Sequence, residues 1–521
     1  MALRDKRLLS CESLNGAPLT SRGGWSAIDW QTTEKLVFRL QMRIAEAMRN
    51  KKFNKVKVLQ RLLTRSYSAK CMAVKKVTMS KGAKTPGIDG KIWTTDKQKV
   101  EAISNLRHKG YKPLPVRRVY ITKSNGKQRP LGICSIKDRA MQALSLFALE
   151  PVSETQADPN SYGFRSYRSC ADAIERCFMV LARKNTAEWI LEGDIKSCFC
   201  KISHEWMEDN ILMDKSLLRK WLKAGHMDKG TLIQTNQGTQ QGSVISPCYT
   251  VITLSGLESA VKAGLKKTDK VHVIAYADDF VITGSSKELL ENHVKPKVEA
   301  FLLQRGLELS EEKTKIVHID EGFDFLGHNV RKYNGKLLIK PAKKNIKNFL
   351  QEIRSTIKSK PSIKTEDLIG LLNPKIRGWT NYFSHVVSSK VFSYVDHQIY
   401  KALSSWSKRR HPNKGARWVV DKYYRSEGLK NWIFFAKIGS KDGKPKFIYL
   451  FKAGQVKITR HVKVKSDATP FDPNFLDYFV KRSDRRFKYM AGTKHKHDKQ
   501  LKDSLPASAH TEALKGLSRI F

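Results

Sequence analysis

Two adjacent aspartates set between two apolar runs constrain this chain more than any other feature. The segment Val271-His-Val-Ile-Ala-Tyr276-Ala277-Asp278-Asp279-Phe280-Val-Ile-Thr283 reads as a strand, a tight turn and a second strand, with the carboxylates at the tip. Neighbouring carboxylates repel, so presenting them together is costly unless a cation neutralises them. A further aspartate ends another apolar strand, Trp189-Ile-Leu-Glu-Gly193-Asp194-Ile195. Beside Asp278 it would complete a hard-oxygen site suited to Mg2+, which takes carboxylates plus substrate phosphates. Two such ions can activate a 3′-hydroxyl and stabilise a leaving pyrophosphate. A bare Asp-Asp pair reads as a solvated turn. The flanking strands, the strand-end Asp194 and the charge of the chain turn the reading toward catalysis.

That charge is large. Lys and Arg number 97 against 49 Asp and Glu, a net +48 over 521 residues. Such a chain repels itself unless a polyanion neutralises it, which points to nucleic acid, with an anionic membrane surface as the weaker alternative. No run of 18 apolar residues occurs, which excludes a transmembrane protein at this level. Met1–Ser10 has no apolar signal region, and Asp5 and Glu12 interrupt any basic transit pattern. The eight cysteines form no CxxC pair, so a disulfide framework or a zinc site built on cysteine pairs is not expected. Isolated thiols fit a reducing compartment. Cys198-x-Cys200 lacks the further partners that a tetrahedral site needs.

Composition divides the chain. Residues 1–24 read as a flexible leader and 25–80 as a helical extension, with Val56, Leu59, Leu62 and Leu63 on one face and basic residues between them. The stretch 81–90 is loop, punctuated by Pro86, Gly87 and Gly90. Strands and helices alternate to about 330. Helical period returns from Pro341, with Ile346, Phe349, Leu350, Ile353 and Ile357 on one face, then Phe392, Val395, Ile399, Leu403 and Trp406 on another. Short β-like runs follow at 432–435 and 447–451. Residues 401–521 carry 29 Lys and Arg against 10 Asp and Glu, and the end, from 491, reads as a basic tail.

The motif Tyr276-Ala-Asp-Asp279 resembles the catalytic motif of reverse transcriptases, and its surroundings resemble the bacterial group II intron-encoded proteins, reverse transcriptase and maturase in one chain. The resemblance spans roughly 25–480. It is carried by KTPGIDG (84–90), GYKPLPVRRVYITKSNGKQRPLGI (110–133), KDRAMQAL (137–144), NSYGFR (160–165), ILEGDIKSCF (190–199), GTQQGSVISP (238–247), YADDF (276–280), LSEEKT (309–314), FDFLG (323–327) and LNPKIRGWTNYF (372–383).

The resemblance implies an α/β right-hand polymerase: fingers and palm over 81–330, a helical thumb or maturase domain over 331–425, and a DNA-binding segment over 426–490, matched at HVKVKSDATPFDP (461–473). It implies Asp194, Asp278 and Asp279 as ligands of two Mg2+ ions and Lys313 as general acid for the pyrophosphate. It also implies Lys123 and Arg129 on the triphosphate of a dNTP, Phe199 as the gate against a 2′-hydroxyl, and Gln241 on the incoming nucleotide. In the thumb it implies a structured-RNA face at Arg377, Trp379 and Tyr382, with the basic Lys408, Arg409 and Arg410. Trp379 and Tyr382 read equally as thumb core, and the basic triplet as a solvated helix end.

The implied partners are group II intron RNA, target DNA and dNTPs, in a bacterial cytoplasmic, nucleoid-associated ribonucleoprotein; oligomeric state is not legible. Four positions in three motifs depart from the family's usual residues: Gln240 and Ser243 in place of Pro and Gly, Cys200 in place of Asp, and Cys134 in place of Pro. A maturase with weak polymerase activity, or a domesticated enzyme of repair or defence, is therefore the alternative to an intron-copying polymerase. No His-Asn-His pattern with zinc ligands follows Pro473, where His495, His497 and His510 stand in a basic stretch. No zinc and no second-strand cleavage by this chain are expected.

Overall fold

A computed structural model describes residues 24–122, 126, 128–427, 430–438 and 446–483. Lys123, most of the leader, the 491–521 tail and its three histidines lie outside the described residues.

Helix α1 (Trp30–Arg49) starts where Asp29 accepts hydrogen bonds from the backbone N–H groups of Gln31 and Thr32. It is followed by α2 (Phe53–Arg65), α3 (Tyr67–Thr78) and α4 (Asp96–Asn105). The buried face of α2 is Val56, Leu59, Gln60 and Leu63; Leu62, expected inside, is exposed. The i, i+3, i+4, i+7 stripe passes through 60, and that position carries a glutamine because its amide has work there. It donates to the carbonyls of Ala148 and Leu212 (3.2 and 2.9 Å), while Gln41 of α1 donates to Phe147 O at 2.9 Å. Both amides fasten the extension to α5 (Ile136–Gln156), which is buried along most of its length and packs against α1, α2 and α3.

Strands β1 (Val116–Thr122) and β2 (Gln128–Ile133) form a hairpin that β4 (His226–Asp228) and β5 (Thr231–Ile233) extend. The central sheet runs β6-β7-β3-β8, from β3 (Trp189–Asp194), β6 (His272–Tyr276), β7 (Asp279–Gly284) and β8 (Lys315–His318). Strand and helix alternate as expected, but pairing is antiparallel except for two residues of β1 against β4. The α/β expectation is corrected to α+β in this sense: the ladders are antiparallel, even where long connections bring β3 between β7 and β8.

A third sheet holds β9 (Phe323–Phe325), β10 (His328–Tyr333) and β11 (Lys336–Pro341), and a fourth β12 (Tyr424–Glu427), β13 (Lys430–Ile438) and β14 (Lys446–Tyr449). Boundaries at 330 and 425 therefore cut through β10 and β12. A strand's ladder belongs to one sheet, so these two boundaries do not coincide with the edge of an element. Between them the helices Lys343–Lys358, Thr365–Phe383 and Ser389–Arg410 bury the two expected faces, with Ile346 only half-buried. Among the described residues no helix is long and apolar enough to cross a membrane.

The segment expected to be free for DNA is tied down over 460–482. It lies against α6 (Cys170–Leu181), whose fully buried Asp172 accepts from His461 Nε2 (2.9 Å), Arg482 Nη2 (2.7 Å) and Val464 N (2.7 Å). Arg460 pairs with Glu175, Asp472 with Arg49 of α1, and Phe471 packs on Phe38. Burial pushes the Asp172 carboxyl up, but the His461 hydrogen bond and charge, Arg482 and Ser169 outweigh it and hold it at about 2. A carboxyl held low in the fold contributes stability above its unfolded value of 3.8, and that contribution is lost as pH falls toward 2. Asp172→Ala strands Arg482 against a buried gap and is expected to cost about 3 kcal/mol. Thermal unfolding, with faster proteolytic release of the 460–482 strap, checks this; unchanged release would mean the strap is held elsewhere.

Candidate active site

The turn between β6 and β7 has two residues, Ala277 and Asp278, with Tyr276 paired to Asp279. Ala277 sits at φ +58, a left-handed conformation that a residue with a Cβ rarely adopts. The turn is held by what lies beneath it. A Cβ on Gly163 would fall 2.2 Å from Ala277 N, and one on Gly193 would fall 2.2 Å from the Phe280 ring. Only glycine admits the hairpin so closely to the neighbouring backbone and strand.

Register completes the cluster. Strand β7 lies between β6 and β3, and Asp194 faces Asp279 across the ladder. The 309–314 loop is pinned to the same strand end, with Ser310 N donating to Asp194 O at 2.8 Å. It delivers Lys313, whose Nζ donates to Asp194 Oδ2 at 2.7 Å. Residues 194, 279 and 313 are thus brought together at one strand end, with Asp278 in the adjoining turn.

The electrostatics show a concentration of negative charge. Burial of the carboxyl group, then the Asp278 and Asp194 carboxylates, push Asp279 up to about 6, although the residue as a whole is open to solvent. The hydrogen bond to Asp194 and the three carboxylates together raise Lys313 above the ordinary lysine value. Cys198, buried behind them, is pushed up by burial and by Asp278.

Among the described residues no three His, Cys, Asp or Glu side chains stand as a formed metal cluster. With Asp194 turned to Lys313, an ammonium supplies the positive charge that this all-oxygen set draws in. The donors are hard carboxylates whose mutual repulsion Lys313 only partly offsets at Asp279, which fits a divalent cation.

Beside the cleft, Phe199 lies buried in a short helix, α7 (Cys198–Lys201), its ring edge-on to Phe164 at 5.9 Å. Its carbonyl accepts from Thr239 N at 2.6 Å, tying it to the 238–247 loop. On that loop Gln241 meets Arg129: Nε donates to Oε1 at 3.4 Å, and Gly132 N donates to Gln241 O at 2.7 Å.

The departures from the family pattern are also gathered here. Cys134 Sγ lies 3.8 Å from Gln240 Oε1 and 3.7 Å from Gln142 Nε2, and Gln142 Oε1 accepts from Val244 N at 3.0 Å. Ser243 Oγ accepts from Ser246 N, the first residue of the helix Ser246–Leu254, at 3.1 Å. Where the family uses proline to stiffen this loop, here side-chain hydrogen bonds hold it. Gln142 is the residue that sequence reasoning missed: it lies within the quoted block 137–144, but nothing there assigns it a role.

The RNA-face residues separate. Trp379 stacks on Phe349 at 4.6 Å, touches Phe383 and Phe392, and donates to Asn345 Oδ1 at 2.8 Å. It is half-buried against the thumb core, which favours the core reading of this residue over the RNA face. Arg410 is likewise used internally, donating to Ile363 O and lying over Trp406. Tyr382 packs on His328 and Phe383 and donates to Leu326 O at 2.9 Å, leaving 38% of its surface open. Arg377, Lys408 and Arg409 are exposed. Arg409 shares a groove with Arg354, Lys358 and Lys401, three cations with no motif of their own.

Comparison with known proteins agrees with this geometry. A family model described as reverse transcriptase (RNA-dependent DNA polymerase) matches residues 121–330. Models for the N-terminal domain of reverse transcriptase and for the group II intron maturase-specific domain match 25–106 and 346–424. Protein YkfC of Escherichia coli is 35% identical over 297 residues, 48% of this chain and 77% of that protein. Group II intron-encoded protein LtrA of Lactococcus lactis is 27% identical over 435 residues, 64% of this chain and 72% of that one. With three consecutive family models and a relative above 30% identity matched over most of its length, the chain belongs to the group II intron reverse transcriptase and maturase family.

Proposed function

We propose that this RNA-directed DNA polymerase and maturase binds group II intron RNA, assists its splicing, and copies it into DNA by target-primed synthesis during retrohoming. The observation that carries the polymerase part is the meeting of Asp194, Asp278, Asp279 and Lys313 at one strand-end cleft. In this reading β3, β6, β7 and β8 are the palm, the β1–β2 hairpin belongs to the fingers, and the three helices over 343–410 are the thumb.

Asp194, Asp278 and Asp279 would hold two Mg2+ ions, which when bound supply Lewis-acid stabilisation of the charge that develops in nucleotidyl transfer. Lys313 Nζ, kept protonated by its carboxylate neighbours, is placed to give a proton to the departing pyrophosphate. Arg129 offers a planar fork of donors to the triphosphate, and its contact with Gln241 sets the fork beside the loop that seats the nucleotide. The buried Phe199 ring gives a rigid wall under the sugar. Phe199→Ala is expected to raise ribonucleotide incorporation relative to dNTPs by about tenfold or more, because the wall rejects a 2′-hydroxyl by clash. Single-nucleotide extension with matched rNTP and dNTP series measures it; an unchanged ratio places the gate elsewhere.

Extension of a DNA primer on an RNA template with Mg2+ tests the whole reading. Robust synthesis separates a polymerase from a maturase whose polymerase has decayed. The hydrogen-bonded loop around Gln142 favours the former, since the departures at Cys134, Gln240 and Ser243 leave that loop ordered.

A further inference from the structure

A cavity of about 700 Å3 opens where α2, α3 and the loop after α4 meet α5 and the helix Lys215–Leu222. Its lining is mostly cationic and apolar, with one carboxylate, Asp214, among it. Lys57, Arg61, Arg65, Lys70, Arg107 and Lys109 ring the opening, and no carboxylate among the described residues lies within ion-pair distance of any of them. Deeper in, Leu106, Ala148 and Leu217 are buried and apolar.

Two polar atoms at this inner wall, His108 Nε2 and Ser145 Oγ, are shut off from solvent and have no hydrogen-bond partner among the described residues. Ser145 is only 5% exposed. Native folds rarely leave such atoms unpaired, and a ligand is one way to satisfy them. Burial and then neighbouring Arg107 hold Lys70 below the usual lysine value. Burial also lowers His108, with Arg65, Lys70 and Lys220 adding to it against the nearby Asp214. Crowded cations of this kind are relieved by an anion. The wall is preformed, since the Gln60 amide fixes α2 to Ala148 O and Leu212 O.

We propose that this cavity takes a single nucleotide extruded from a structured RNA, its phosphate among the ring of cations, its base against Leu106, Ala148 and Leu217, with His108 and Ser145 as hydrogen-bond points. The inference rests on the proposed binding of intron RNA and places part of that binding on the basic N-terminal helices. Phosphate alone would need the cations and leave the apolar floor unused, whereas a nucleotide uses both and matches the scale of ligand pockets. RNA is favoured over a free nucleotide because the exposed Lys51, Lys52 and Lys55 continue the basic surface beyond the cavity.

The test uses the full chain and single-stranded RNA of about 12 nucleotides, in homopolymers of each base and in an abasic strand of equal length and charge. The wild type is expected to bind at least one homopolymer about tenfold more tightly than the abasic strand. His108→Ala is expected to remove most of that preference, and Ser145→Ala, on a different element, part of it, with thermal unfolding confirming that each variant folds. R61Q/R65Q is expected to weaken both kinds of strand and to flatten the salt slope by about 1.

Equal wild-type affinity for ordinary and abasic strands overturns the pocket. So does full retention of the preference in both folded polar variants. In either case a loss in R61Q/R65Q leaves the RNA face standing, whereas no change in that variant overturns the RNA face as well. Full displacement of the preferred homopolymer by free ribonucleoside monophosphates at millimolar concentration would assign the cavity to a soluble nucleotide and overturn the RNA proposal.

Discussion

Asp278→Ala is expected to abolish Mg2+-dependent cDNA synthesis, a loss of about 10^3-fold or more, while RNA binding survives. The magnitude follows from what the side chain does. A carboxylate that holds a catalytic cation affects the transition state through that ion's whole charge, and each 1.36 kcal/mol lost is tenfold in rate. The structure adds a reason for the other functions to persist. Asp278 sits in a two-residue turn whose position is set by Gly163, Gly193 and the β6–β7 ladder, so removing its carboxylate leaves the hairpin in place. The removal also lessens the repulsion that pushes Asp279 up, so the metal-free variant is expected to be no less stable than the wild type. Primer extension, filter binding of RNA and thermal unfolding on the same preparation check the three parts together. Retained synthesis would remove Asp278 from the catalytic set. Lost binding alongside lost synthesis would mean that the hairpin, and with it the cleft, had collapsed.

The catalytic hairpin was legible because its signals are local. Alternating apolar runs, a turn and two carboxylates lie within thirteen residues, and pairing Asp194 to Asp279 needed only that two strand ends share a sheet. Lys313 came from resemblance alone, since nothing in its own segment says that it will reach a carboxylate 119 residues away. Helical faces were legible where the stripe is wholly apolar, as over 392–406. They misled where a buried polar residue serves a long-range contact: Gln60 occupies a core position that hydropathy alone assigns to Leu62. Trp379 shows the converse limit. An aromatic beside an arginine suits RNA stacking and core packing equally, and only the Phe349 and Asn345 contacts decide between them. The strap over 460–482 was hidden for the same reason as Lys313. Its anchor, Asp172, lies 289 residues before His461, and the resemblance that marks 461–473 as DNA-binding says nothing of that contact.

Replacing Lys51, Lys52, Lys55 and Lys57 together by Gln is expected to weaken binding to intron RNA by about 100-fold at moderate salt and to depress splicing with it. All four are exposed, and none makes an ion pair with a described residue. Their charge therefore does nothing for the fold that can be seen, and a net +48 is far more than a triphosphate requires. Every phosphate that a lysine no longer neutralises takes roughly 0.7 off the slope of log affinity against log salt on a single strand, so four would flatten it by about 3. Lys51 and Lys52 precede α2, and Lys55 and Lys57 are exposed on the flanks of its buried stripe Val56, Leu59, Gln60 and Leu63, so the apolar contacts that join α2 to α5 are kept. Extension on a short pre-annealed primer–template relies on the β3–β7 cleft and is expected to hold within about twofold. A salt series of filter binding, run beside splicing and primer extension, separates the outcomes. Loss of binding and splicing with extension kept would assign these lysines to RNA docking. Equal loss in all three would make α2 a support of the polymerase body, its charge incidental to RNA.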